Sequence, residues 1–115
     1  MSKLGGSILL VDDDEDFRYA ATKALKEAGF AISSAPDYRH ALGVLEGKMP
    51  VDLLVTDVHI GFTLARMARM RRPGLKVIYL TGFDVPKGET VGDKLLRKPI
   101  SNEQLVSEVR LAFAS

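Results

Sequence analysis

Five side chains suited to charge chemistry each follow a short candidate strand. Asp12 and Asp13 follow residues 8–11, Asp57 follows residues 53–56, Thr81 follows residues 77–80 and Lys98 follows residues 94–97. Carboxylates of one sign brought close together repel, so Asp12 and Asp13 must face water or hold a cation. A hard divalent cation such as Mg²⁺ suits a site with few carboxylates, several waters and a phosphoryl ligand. Phosphoryl transfer to a carboxylate needs these groups: a carboxylate nucleophile, then a metal, a hydroxyl and an ammonium to stabilise the equatorial oxygens. A nucleotide or flavin site would instead want a glycine-rich turn to hold phosphate. The acidic loop at residues 12–16 has no glycine.

Taken singly, each residue has a plainer explanation. The acidic run can be a solvated helix cap, Asp57 can start a loop, Thr81 before Gly82 can form a turn, and Lys98 can be a surface lysine. Their joint placement at the ends of successive strands favours the functional reading.

The elements that must position them follow from the apolar pattern. Residues 8–11, 30–34, 51–56, 76–80 and 94–97 read as short strands, the first of them apolar enough to be buried on both faces. Between them, Phe17, Ala21, Ala24, Leu25 and Ala28 mark one face of a helix that Asp14 caps and Gly29 stops. Tyr38, Ala41, Leu42 and Leu45 mark a second helix, with His40 on its surface. Leu64, Met67 and Ala68 mark a third, closed by Pro73-Gly74. Ser101 caps a last helix, with Gln104 three positions on and a stripe of Leu105, Val109, Ala112 and Phe113.

Strands alternating with helices imply an α/β fold, a doubly wound parallel sheet covered on both faces. With five strands, the order expected is 2-1-3-4-5, one of the common orders of this class, with ligands outside the carboxyl ends of strands 1 and 3. Adjacent strands lie about 4.8 Å apart, so Asp12, Asp13 and Asp57 should converge there.

The bounds are those of one domain. The chain has 115 residues, 46% hydrophobic and 27% charged, with a net charge of +1 and no cysteine. Disulfides and thiolate metal sites are excluded, and no charge bias toward nucleic acid or an anionic membrane exists. Residues 1–6 read as a flexible tail without the apolar core of a signal peptide, and residues 7–115 as the domain. The expected location is the cytoplasm, with no membrane partner. Arg66, Arg69, Arg71 and Arg72 read as a solvated helix face rather than a nucleic-acid surface.

With these pieces in order along essentially the whole chain, the sequence resembles the response-regulator receiver domains of bacterial two-component signalling. The pieces are Ile8 to Asp13, Leu53 to Asp57, Val77 to Gly82 and Lys98-Pro99. The resemblance implies a flavodoxin-like fold and a phosphorelay role, and it implies a phosphoacceptor domain rather than an enzyme acting on other substrates. Asp57 would accept a phosphoryl group from a histidine kinase or a histidine phosphotransfer protein, and an unknown downstream protein would read or receive it. Asp12 and Asp13 would hold Mg²⁺ with Asp57, and the backbone carbonyl of His59 would complete the metal site. Thr81 and Lys98 would contact the phosphoryl group, and the Lys98-Pro99 bond would be cis.

Three departures from the family pattern stand out. The stretch after Asp57 lacks the usual longer loop, so that residues 59–63 run almost directly into the third helix. Between Thr81 and the fifth strand, residues 82–93 include Gly82, Pro86, Gly88 and Gly92, so the fourth helix of the family should be shortened or absent. Leu95 stands where the family has an aromatic residue. The chain is expected to act alone or to be a receiver cut from a longer regulator. The main alternative is a receiver-fold interaction module that works without phosphorylation. A phosphatase acting on external substrates would need a second acid that neither Val58 nor His59 supplies.

Overall fold

Alternation along each strand divides the apolar residues between two cores. In the structure, a computed structural model that describes residues 6–82 and 93–114, five parallel strands form one sheet in the order β2-β1-β3-β4-β5. The strands are β1 (Ser7–Val11), β2 (Ala31–Ala35), β3 (Leu53–Asp57), β4 (Lys76–Thr81) and β5 (Lys94–Arg97). Four helices accompany them among the described residues: α1 (Glu15–Glu27), α2 (Tyr38–Glu46), α3 (Val58–Arg71) and α4 (Asn102–Ala114). Leu9, Val11, Leu54, Val77 and Tyr79 point to α2 and α3, where they meet Ala41, Leu45, Leu64 and Ala68. Ile8, Leu10, Leu53, Val55, Ile78 and Leu80 point the other way, to Ala21 and Leu25 of α1 and Leu105 and Val109 of α4. Period-two alternation on a sheet covered on both faces produces this division.

The expected strand order, and every helix expected among the described residues, are found. Asp14 accepts a hydrogen bond from the Phe17 amide at 3.1 Å, and Ser101 accepts one from Gln104 at 3.0 Å. Gly29 ends α1 with φ of 101°, a conformation that side chains with a Cβ rarely adopt. The Lys98-Pro99 bond is cis. Gly6, read from sequence as tail, is buried beneath Phe113 and accepts a hydrogen bond from the Ala31 amide at 3.0 Å. The stretch expected to lack a regular helix, residues 83–92, lies outside the described residues.

Two expectations need correction. Residues 59–63 are not a lead-in to the third helix, because α3 starts at Val58, directly after Asp57. Arg66 is exposed, but the other three arginines read as a solvated face have partners within the chain. Arg69 pairs with Asp93, Arg71 with Glu46, and Arg72 donates to the carbonyls of Leu45, Gly47 and Met49. Arg72 thus satisfies carbonyls at the end of α2 and in the segment just beyond it.

Candidate functional site

Strand geometry sets the site. β1 and β3 are neighbours, with Val11 paired to Thr56, so the residues that follow each strand emerge side by side. Carboxylate oxygens of Asp12, Asp13 and Asp57 all lie within 4.8 Å of one another. Asp12 is fully buried, Asp57 is 8% exposed, and Asp13 faces solvent.

Asp12 is held at every polar atom of its end. One carboxylate oxygen accepts the Asp14 amide at 2.9 Å, and the other accepts Lys98 Nζ at 2.7 Å. Its backbone carbonyl accepts Arg18 Nη1 at 2.6 Å. Unpaired, so buried a carboxylate would cost several kcal/mol; the ammonium and the amide offset that. Lys98 reaches Asp12 from the far side of the sheet. Its own amide donates to the Thr81 carbonyl at 2.7 Å, tying the end of β5 to the end of β4.

Asp57 caps a helix from within the carboxylate cluster. Its Oδ1 accepts the Ile60 amide at 2.9 Å, which makes it the N-cap of α3. Burial pushes its carboxyl group up, and the charges of Asp12 and Asp13 push it further. Amide hydrogen bonds from Ile60 and Asp13 act the other way. A carboxylate buried among like charges is more basic than an exposed one, which favours its use as a nucleophile.

Thr81 is buried at the end of β4, one position beyond Leu80, the register partner of Asp57. His59 lies in the first turn of α3 with its side chain exposed. Its backbone carbonyl, expected to complete a metal site, belongs to the helical turn that starts directly after Asp57. The residue missed by the sequence reading is Arg18, whose contact with the Asp12 carbonyl fixes the β1–α1 turn. A basic residue six positions after a buried acid carries no pattern that would single it out.

The donor set fits a hard divalent cation. It is all oxygen, and Lys98 supplies one positive charge to three carboxylates. Arg18, the other nearby cation, is turned to a carbonyl. The excess of negative charge is what Mg²⁺ with several waters would balance.

Comparison with known proteins agrees with this geometry. The family model described as "Response regulator receiver domain" matches residues 8–110. This chain belongs to the receiver family. The response regulator receiver protein CpdR of Brucella abortus is 35% identical over 111 residues, covering 89% of this chain and 92% of that protein. The transcriptional regulatory protein GltR of Pseudomonas aeruginosa is 33% identical across 96% of this chain, which spans only 50% of GltR. Among solved structures, a response regulator receiver protein from Sinorhizobium medicae matches with a TM-score of 0.86 at 25% identity, covering 97% of both chains. The chemotaxis response regulator CheY4 of Vibrio cholerae matches with a TM-score of 0.82 at 27% identity, covering 93% of this chain and 98% of that one. The protein is thus a receiver domain of two-component signalling with a flavodoxin-like sheet. No helix among the described residues is long and apolar enough to cross a membrane.

Proposed function

We propose that this receiver accepts a phosphoryl group on Asp57 and presents or relays it to a partner protein. The observation that carries this reading is the cluster of Asp12, Asp13 and Asp57 with Lys98 seated on it. The donor is the phosphohistidine of a histidine kinase or a histidine phosphotransfer protein, and the setting is the cytoplasm. One relative, the sensor kinase CckA of Brucella abortus, matches this chain over 13% of its own length at 32% identity, so a receiver-like segment occurs within a protein named as a kinase.

In the proposed reaction an Asp57 carboxylate oxygen attacks phosphorus as the phosphorus–nitrogen bond of the donor breaks, and the imidazole leaves with the electron pair and takes up a proton. Asp12, Asp13 and Asp57 would hold Mg²⁺, which supplies charge neutralisation at the transferring group when bound. Lys98 moves its hydrogen bond from Asp12 to a phosphoryl oxygen, and the Thr81 hydroxyl donates to another. The Ile60 amide keeps Asp57 oriented from behind.

The test is incubation with acetyl phosphate and Mg²⁺ followed by intact-mass measurement. A gain of about 80 Da, absent in Asp57→Asn, is the expected result. No mass gain with a folded protein would favour the alternative, an interaction module that works unphosphorylated.

A further inference from the structure

Lys98 is held from three directions, and one of them is not polar. Its amide is tied to Thr81, its ammonium to Asp12, and the ammonium also lies 4.5 Å from the centroid of the Phe17 ring. Phe17 is itself fixed. Its amide donates to the Asp14 cap, and its ring packs, half-buried, against the core shared by α1 and α4. We propose that Phe17 is a positioning residue whose ring face holds the Lys98 ammonium over the carboxylate cluster.

A ring suits this task better than a fourth acid would. Its negative face attracts a cation, yet it is no anion that would compete with an arriving phosphoryl group. Lys98 can then exchange Asp12 for a phosphoryl oxygen while keeping the ring contact. The Lys98 side chain is 25% exposed. With an aliphatic residue at position 17 its flexible stem would be free to swing to water.

The effect on rate rests on the phosphoacceptor reading; the contact does not, so two measurements separate them. The first is NMR of the protein with labelled lysine, the Lys98 resonance being assigned by its loss in Lys98→Ala. Ring-current shielding of the Lys98 ε protons is expected in the wild type and absent in Phe17→Leu. The second is the rate of Asp57 phosphorylation by acetyl phosphate with saturating Mg²⁺. Phe17→Leu should lower the maximal rate about fivefold with unchanged Mg²⁺ affinity, and Phe17→Tyr should restore it. In a Lys98→Ala background Phe17→Leu should cost nothing more.

An unshielded Lys98, a Phe17→Leu rate equal to wild type, or an equal loss with and without Lys98 would each overturn the proposal. If wild-type protein takes no phosphoryl group, the phosphoacceptor reading fails, and the shielding alone decides the ring contact. Should Phe17→Leu lose its helical circular dichroism, Phe17→Met takes its place.

Discussion

At the scale of single residues, Asp57 is costly to ionise. Burial, then Asp12 and Asp13, raise its pKa above the unfolded value of 3.8. A folded-state pKa raised in this way gives stability that is fully present below the unfolded value. That stability is lost as the pH rises through the folded one. At neutral pH the charged Asp57 is therefore a liability. Asp57→Asn removes the charge and keeps a side chain equally able to cap α3. Without Mg²⁺ its melting temperature at pH 7 should exceed that of wild type by about 3 °C. The gap should close as the pH falls below the ordinary carboxylate range. Thermal melts from pH 3 to 8 decide this, and a neutral-pH melting temperature at or below wild type would contradict it. The five candidate site residues stood out in the sequence because each follows a candidate strand. Who holds whom did not: Lys98 and Asp12 are 86 positions apart, and no local pattern joins them.

At the scale of elements, α3 departs furthest from expectation, and its start explains why. The proposed phosphoacceptor and the helix cap are the same residue, so the signal for the helix start was read as chemistry alone. Asp57 with an amide acceptor role toward Ile60, and no glycine or proline between them, was the available sign. Four residues on, Gly61 lets α3 approach the sheet. A Cβ there would lie 2.7 Å from Thr56 Cγ2 and 3.0 Å from the Tyr79 ring, which also packs 5.0 Å from Phe62. Alanine in an open helix would gain about 1 kcal/mol over glycine, but here the overlap with a buried threonine on β3 outweighs it. Gly61→Ala should lose about 1–3 kcal/mol in urea unfolding; a gain in stability would show that α3 can shift outward at no cost. The Arg69–Asp93 pair, like the contacts of Arg72, was illegible for the same reason as Lys98. Such pairs follow from packing of α3 against distant segments, not from spacing along it.

At the scale of the whole molecule, a net charge of +1 hides a locally acidic end. Strands alternating with helices sufficed to read the class, whereas the sheet order came from the orders common to that class, not from any residue of this chain. The acidic end predicts a linkage effect. Mg²⁺ at a hundredfold its dissociation constant should add about 2.7 kcal/mol to wild-type stability, seen as a rise in melting temperature that sodium chloride of equal ionic strength does not reproduce. Asp13→Asn should weaken that rise, whereas an undiminished rise would place the ion elsewhere. The junction of β3 and α3 has a further consequence. No residue separates the last strand position, Asp57, from the first helical one, Val58. Where a loop joins strand to helix, the first part of any displacement is taken up as slack. This joint has none, like a gear without backlash, so whatever shifts the end of β3 must turn the axis of α3 with it.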